Sequence, residues 1–92
     1  MTNEEVALAF EELAAMLRAK KELPFKYRAY EKAAATFRAL PVPLEEYRRD
    51  HDLREIPGVG EAIAKKANDL LDTGTFPLLD RLRAERDGVA QG

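Results

Sequence analysis

The chain contains no cysteine and only one histidine among its 92 residues. The absence of cysteine excludes disulfides and thiolate metal sites, and His51, which we expect in an exposed loop, cannot form a zinc site alone. No apolar run approaches the ~20 residues that a membrane span requires, and no secretory signal precedes the first helix. We therefore expect one small, soluble, cytoplasmic and monomeric domain with a single core and no large substrate cavity.

Positive charge is concentrated in the middle of the chain, although the net charge is −2. Residues 1–17 contain four glutamates and no base, whereas residues 18–38 contain seven bases against two glutamates. A local positive face matters more for binding a phosphate chain than the global charge does. The basic block therefore indicates a nucleic-acid-binding surface, but bases that merely solvate a helix would give the same pattern.

Apolar residues recur with helical spacing in five segments that proline or glycine separates. We predict a compact all-α bundle of four main helices and a short one, with Asn3 as the N-cap of the first. The predicted helices span residues 3–20, 25–40, 44–49, 61–72 and 76–85. The domain is expected to comprise residues 1–86, followed by a flexible tail at 87–92.

The most informative segment is Ile56-Pro57-Gly58-Val59-Gly60, which lies between two apolar helical stretches. Glycine adopts backbone angles closed to other residues and permits a close approach. Gly60 also opens a helix, whose first amides lack internal partners and carry the positive end of the helix dipole. This turn can hold an anionic oxygen such as a nucleic-acid phosphate, although an ordinary turn between helices is the alternative.

The flanking apolar residues make this segment resemble a helix-hairpin-helix motif, with Leu53 and Ile56 before the glycines and Ile63 after them. In that family the amides of the hairpin bind DNA phosphates without reading sequence, and its carbonyl oxygens often hold a monovalent cation. The resemblance implies DNA binding by the backbone of Gly58, Val59 and Gly60. It also implies a Na⁺ or K⁺ ion on main-chain carbonyls, those of Arg54, Ile56 and Val59. No other cofactor is required.

A wider resemblance covers nearly the whole chain. The run from Pro24 to Ala34, the glycine turn, the segment Ile63-Ala64-Lys65-Lys66 and the segment Leu71-Asp72-Thr73-Gly74 occur in a familiar order and spacing. They are similar to the small N-terminal domain of family X DNA polymerases (the DNA polymerase beta type), in its bacterial variety. This resemblance implies base excision repair, gapped or nicked DNA with a 5′-phosphate as partner, and a polymerase domain in a parent chain.

The same resemblance implies a chemical role for Lys66. In the family a lysine on the helix after the hairpin attacks the aldehyde of a 5′-deoxyribose phosphate, forms a Schiff base and drives elimination of the 3′-phosphate. Lys66 occupies that position, and Lys65 beside it adds positive charge. Asp69 could pair with Lys66, which would favour the charged amine and oppose catalysis. The alternative is a solvated helix lysine, or one that only contacts phosphate.

The family's phosphate pocket is retained in part. Lys26 and Tyr30 match pocket residues of the family, and Arg54 keeps the charge of a family lysine. Ala62 and Leu78 replace two family lysines, one that binds phosphate and one that serves as a substitute nucleophile. These losses weaken the case for a lyase more than the case for DNA binding.

The basic residues of the second helix alternate with aromatic ones, a pattern typical of a nucleic-acid face. Phe25 replaces a histidine that stacks on a template base in the family, and a phenyl ring can still stack. Tyr27, Tyr30 and Phe37 are also candidate core residues, because aromatic residues at helical spacing usually face inward. The candidate DNA contacts outside the hairpin are Lys26, Arg28, Tyr30, Lys32, Arg54 and Lys65.

Two other functions fit the same sequence. The domain could be a non-catalytic DNA-binding module of a larger repair polymerase, or a helical protein-interaction domain. A protein-interaction domain would lack the fall of DNA affinity with salt that follows from counterion release. This chain has no strand-borne cluster of acidic residues to hold catalytic magnesium, so we expect no polymerase activity from it alone.

Overall fold

The structure is a computed structural model that describes residues 1–88. In that range the chain forms five α-helices, one 3-10 turn and no β-strand, which confirms the all-α prediction. The elements are α1 (Asn3–Ala19), α2 (Pro24–Ala39), α3 (Leu44–Asp50), the 3-10 turn (Leu53–Glu55), α4 (Glu61–Thr73) and α5 (Pro77–Asp87). None of these helices is long and apolar enough to cross a membrane.

The last helix extends two residues beyond its predicted end. α5 includes Arg86 and Asp87, and Gly88 follows it in the left-handed conformation at φ 73°. Glycine at this position is the usual end of a helix, because it has no Cβ to oppose positive φ. Asp87, the first residue of the expected tail, is therefore helical. Residues 89–92 of that tail lie outside the described residues.

The start of α1 differs from the prediction, because Thr2 and not Asn3 is its N-cap. The Thr2 hydroxyl accepts the Glu5 N–H at 3.1 Å, and the Glu5 carboxylate accepts the Thr2 N–H at 2.7 Å. The Asn3 side chain instead accepts the Leu44 N–H at 2.7 Å and donates to the Val42 carbonyl at 2.8 Å. Asn3 therefore caps α3, which has no side-chain cap of its own.

The centre of the core is the ring of Phe10, which lies on α1 and is fully buried. Its centroid lies 5.5 Å from that of Phe37 on α2, 5.9 Å from that of Phe76 and 6.1 Å from that of Tyr30. These distances are typical of favourable aromatic pairs. The aromatic cluster thus joins α1, α2 and the residue that precedes α5. Its members include Tyr30, one of the predicted site residues.

Arg38, at the end of α2, is bound by two carboxylates of α1. Its Nε donates to Glu4 at 2.6 Å and its Nη1 donates to Glu11 at 2.9 Å. These hydrogen bonds raise the pKa of Arg38 and lower that of Glu11. Arg38 therefore holds α2 against α1, and its charge is compensated within the fold although the sequence places it in the basic block.

α1 is also held to α5 by a carboxylate, that of Glu12. The guanidinium of Arg83 donates two hydrogen bonds to Glu12, at 2.7 and 2.8 Å, and Arg86 donates a third at 3.1 Å. The hydrogen bond from Arg83 is the largest cause that lowers the pKa of Glu12. Bidentate pairs of this kind hold their partners in a defined geometry.

The turn between α1 and α2 places a lysine in the left-handed region, with Lys21 at φ 60°. The Lys21 N–H donates to the Arg18 carbonyl at 3.0 Å, and the Glu22 N–H donates to the Leu17 carbonyl at 3.1 Å. This pair of hydrogen bonds is a Schellman motif, in which the left-handed position is usually glycine. It ends α1 and directs the chain back along α2.

Candidate functional site

The hairpin predicted from the glycines is a tight turn over Ile56-Pro57-Gly58-Val59. The Val59 N–H donates to the Ile56 carbonyl at 3.0 Å, and Gly58 has a φ of 89°. Proline at the second position and a positive φ at the third are features of a type II turn. Gly58 is therefore required by the backbone conformation, because a side chain at this φ would be strained.

Apolar side chains anchor this turn to the core on both sides of the glycine. Leu53, Ile56 and Val59 are 1%, 4% and 5% exposed, whereas Gly58 and Gly60 are exposed. A Cβ built on Gly60 would meet no atom within 4 Å, and one on Gly58 would meet only the Thr36 hydroxyl, at 4.0 Å. The backbone at both glycines therefore lies between buried anchors and is open to an approaching ligand.

The amides of Gly58 and Gly60 donate to no backbone carbonyl in residues 1–88, whereas the Val59 amide closes the turn. Gly60 is also the N-cap of α4, and no side chain caps that helix. The first amides of α4 add to this group of donors, since the first turn of a helix leaves its N–H groups without internal acceptors. The arrangement can bind a single anionic oxygen atom or group.

One of the three carbonyls of the predicted cation site already accepts a hydrogen bond. The Ile56 carbonyl accepts the Val59 N–H, and a carbonyl oxygen has a second lone pair for a metal ion. Residues 1–88 contain no group of three or more His, Asp or Glu side chains that could hold a metal. A cation at the hairpin would therefore depend on main-chain oxygens alone, and the Na⁺ or K⁺ site stays a prediction.

Lys66 lies beside Tyr30, with its Nζ 5.7 Å from the centroid of the tyrosine ring. The same ring packs on Phe10 at an interplanar angle of 24°. An ammonium group over an aromatic face is attracted by the ring quadrupole. Because Tyr30 is packed on the centre of the core, it gives the Lys66 amine a defined position on the surface between α2 and α4.

The possible pair between Asp69 and Lys66 does not form. Asp69 lies 3.8 Å from the Nζ of Lys65, four residues before it, and no carboxylate in residues 1–88 forms an ion pair with Lys66. Lys65 is 79% exposed at its side chain, whereas Lys66 is half-buried. The two adjacent lysines therefore have different surroundings, as the rotation of about 100° per helical residue requires.

Two predicted phosphate contacts are each paired with a carboxylate. Lys26 lies 3.4 Å from Glu22, one helical turn before it. Arg54 donates from Nη2 to Asp52 at 2.8 Å and from Nε to the same carboxylate at 3.1 Å. The hydrogen bonds with Arg54 lower the pKa of Asp52 by stabilising its carboxylate form. Both bases are exposed, so a phosphate can still reach them.

Ala62 and Leu78, the two positions without the family lysine, differ in their surroundings. Ala62 is exposed on the first turn of α4, close in sequence to the free amides. Leu78 is partly buried against the core. At Leu78 an apolar side chain has a packing role, whereas at Ala62 the surface simply lacks a positive charge.

Arg28 and Lys32 are exposed on α2 and form no ion pair with a carboxylate of residues 1–88. They line an open depression of about 810 Å³ together with Phe25, Ala29 and Glu31. Phe25 is 67% exposed, an unusual state for a large aromatic side chain. This face of α2 thus combines two free positive charges with an accessible ring.

Sequence reasoning overlooked Thr36 and Asp52 as candidate site residues. Thr36 is the side chain next to Gly58, and Asp52 compensates the charge of Arg54. Their positions in the sequence are suggestive, because Thr36 lies one helical turn after Lys32 and Asp52 lies two residues before Arg54. Neither contact follows from spacing alone.

The chain matches one protein-family model, described as a helix-hairpin-helix domain, over residues 1–76. The matched range includes α1 to α4 and the hairpin, and it ends at the residue that precedes α5. No curated protein matches the chain.

Proposed function

The chain belongs to the helix-hairpin-helix domain family, and from this membership we propose that it binds the DNA backbone without reading base sequence, at gaps or nicks with a 5′-phosphate. The observation that carries the proposal is the pair of amides at Gly58 and Gly60, which donate to no backbone carbonyl of residues 1–88 and lie on a turn anchored in the core. Family membership supports nucleic-acid binding in general. The preference for a gap rests on the resemblance to polymerases of family X, which also implies a role in base excision repair.

The proposed contact is between main-chain donors and one phosphate group. The amides of Gly58 and Gly60 donate to its oxygens, and the positive end of α4 stabilises its charge. Such contacts fix the position of the duplex but carry no sequence information. Lys26, Lys65 and Arg54 add positive charge to the proposed DNA-binding surface, and each is paired with its own carboxylate.

Chemical-shift mapping of the backbone amides tests this contact directly. We expect the signals of Gly58 and Gly60 to shift when a gapped, 5′-phosphorylated duplex is added. Gly74 is the matched control, since its N–H donates to the Leu70 carbonyl at 2.8 Å at the opposite end of α4. Binding that leaves Gly58 and Gly60 unshifted would contradict the proposal, as would an affinity that is independent of salt.

A second candidate function, a 5′-deoxyribose phosphate lyase, is favoured by the position of Lys66. Its amine is held over Tyr30 and forms no ion pair with a carboxylate of residues 1–88. In the proposed reaction the neutral amine attacks the C1′ aldehyde, and water leaves as the Schiff base forms. A base then removes a C2′ proton, and the electron pair of that C–H bond expels the 3′-phosphate. Hydrolysis of the imine regenerates the amine.

Borohydride trapping on an incised abasic duplex tests the lyase. Reduction of the imine would leave a stable covalent adduct with the wild-type chain, and Lys66→Ala should abolish it. Lys65→Ala is the control, because Lys65 is adjacent, exposed and paired with Asp69. Equal trapping by wild type and Lys66→Ala would show that Lys66 is not the nucleophile. Gap binding without any adduct would identify a non-catalytic binding module.

A further inference from the structure

Most lysines and arginines of this fold are compensated by a carboxylate, but a small set is not. In residues 1–88 the bases without an ion pair are Lys21, Arg28, Lys32, Arg49 and Lys66. Arg28 and Lys32 lie four residues apart and therefore one above the other on α2. Like charges at this spacing repel each other, so their pairing does not stabilise the helix.

Thr36 continues this line by one more helical turn and reaches the hairpin. Its hydroxyl lies 4.0 Å from the position of a Cβ on Gly58, and nothing else lies within that distance of the same point. The row of Arg28, Lys32 and Thr36 therefore ends beside Gly58. An α-helix rises 1.5 Å per residue, so the row is about 12 Å long.

The surface beside the row is open. The depression next to Arg28 and Lys32 is also lined by Phe25, Ala29 and Glu31, and the Glu31 carboxylate lies 3.8 Å from the guanidinium of Arg18. Arg28, Lys32 and Thr36 follow one another at intervals of about 6 Å along α2. One strand of DNA carries one phosphate per nucleotide, so three side chains can contact about three neighbouring phosphates. The row thus has the length, the charge and the accessibility to follow a nucleic-acid backbone away from the hairpin.

We propose that Arg28, Lys32 and Thr36 form a second backbone-binding track, which guides the strand held at the hairpin along α2. The inference rests on the proposed DNA binding and adds to it a path for the neighbouring nucleotides. Lys32 and Arg28 bind successive phosphates as charges, and the Thr36 hydroxyl donates to the phosphate between them and the hairpin. The ligand of the track is a phosphodiester backbone, and the bases are not read.

The salt dependence of binding measures the charged part of the track. For a gapped duplex the slope of log K against log salt decreases by about 0.9 for each phosphate contact that is lost. We expect Arg28→Gln/Lys32→Gln to reduce the slope by about 1.8. The control is Lys20→Gln/Arg81→Gln, which removes the same charge from exposed bases that both pair with Glu85. An equal effect of the two double variants would overturn the track.

Thr36→Val tests the hydroxyl separately, because valine keeps the shape of threonine but cannot donate a hydrogen bond. We expect a loss of DNA affinity of about tenfold or more, typical of one hydrogen bond to a charged group, with an unchanged salt slope. An unchanged affinity would remove Thr36 from the track. Circular dichroism of each variant shows whether its helices are retained.

The hairpin amides distinguish a failed track from a failed function. If the double variant keeps the wild-type slope while Gly58 and Gly60 still shift on addition of DNA, the track is wrong and hairpin binding stands. If the two glycines do not shift in the wild-type chain, the proposed function itself fails. Shortening the DNA by four nucleotides on one side of the gap should weaken binding of the wild-type chain but not that of the double variant.

Discussion

The carboxylate of Asp52 binds both the side chain and the backbone of Arg54. Its Oδ1 accepts the Arg54 N–H at 2.8 Å and the Nε at 3.1 Å, while Oδ2 accepts Nη2 at 2.8 Å. Asp52 therefore caps the 3-10 turn that leads into the hairpin and compensates the nearest guanidinium. A phosphate that approaches Arg54 must compete with this carboxylate.

We predict that Asp52→Asn increases the affinity for gapped DNA. The amide oxygen of asparagine can still cap the turn, but the charge that competes for Arg54 is gone. The expected gain in affinity is small, about fivefold or less, because an exposed ion pair contributes little. Titration of a labelled duplex at fixed salt measures it.

Glu55→Gln is the control for this variant, because Glu55 belongs to the same turn but accepts the Asp52 N–H and not Arg54. A similar gain for both variants would show that only the total charge matters. In addition, Arg54→Gln should cancel the gain when combined with Asp52→Asn.

The two hairpin glycines should differ in their tolerance of alanine. Gly58 has a φ of 89°, so we expect Gly58→Ala to destabilise the fold by about 1–2 kcal/mol. Gly60 has a φ of −89° and free space around its Cα, so Gly60→Ala should lose less than about 1 kcal/mol, as an N-cap. Denaturant unfolding of both variants gives the two values. Equal losses would show that the turn does not require the left-handed conformation.

The carboxylate of Glu12 should contribute to stability at neutral pH but not in acid. Arg83 lowers the pKa of Glu12 in the folded state below its ordinary value of 4.5. The contribution is therefore fully present above that value and is lost as the pH falls through the lowered pKa. We expect Glu12→Gln to lose about 1 kcal/mol at pH 7 and less than half of that near pH 2.

Urea unfolding at several pH values tests this dependence. The matched control is Glu46→Gln, since Glu46 is exposed on α3 and forms no ion pair with a residue of the described range. A destabilisation by Glu12→Gln that is the same at both pH values would assign the effect to packing.

Truncation of Phe10 should reduce the free energy of unfolding more than truncation of an exposed side chain. It is fully buried and contacts the rings of Phe37, Phe76 and Tyr30. We expect Phe10→Ala to destabilise the fold by about 3–5 kcal/mol, whereas Leu8→Ala on the exposed face of α1 should remain within about 0.5 kcal/mol. Thermal unfolding compares the two, and similar midpoints would contradict the central position of Phe10.

The helices could be predicted from the sequence because their signals are local. Apolar spacing of three and four residues marks the buried face, and Pro24, Pro43, Gly60 and Gly74 lie at the ends of helices. The N-cap of α1 could not be assigned, because Thr2 and Asn3 are both good caps. The contact of Asn3 with Leu44, 41 residues away, decides between them.

The electrostatics of the site could be predicted only in part. The sequence shows that bases cluster on α2, but the carboxylates that bind Arg38 come from α1 and depend on how the two helices pack. The contact of Thr36 with the hairpin likewise depends on the angle at which the chain returns to α2. The pairing of Asp69 with Lys65 could have been predicted from the sequence. Lys65 lies four residues before Asp69 and Lys66 lies three, and both spacings are favourable for an ion pair on a helix.

Lys21 gives the corner between α1 and α2 a property that a glycine there would not have. A left-handed lysine costs about 1–2 kcal/mol of backbone energy. Lys21→Gly would remove this cost and increase the free energy of unfolding. The corner lies apart in sequence from the hairpin and from the row on α2. Protein engineers could therefore raise the thermal tolerance of the scaffold at this corner and leave its ligand chemistry intact.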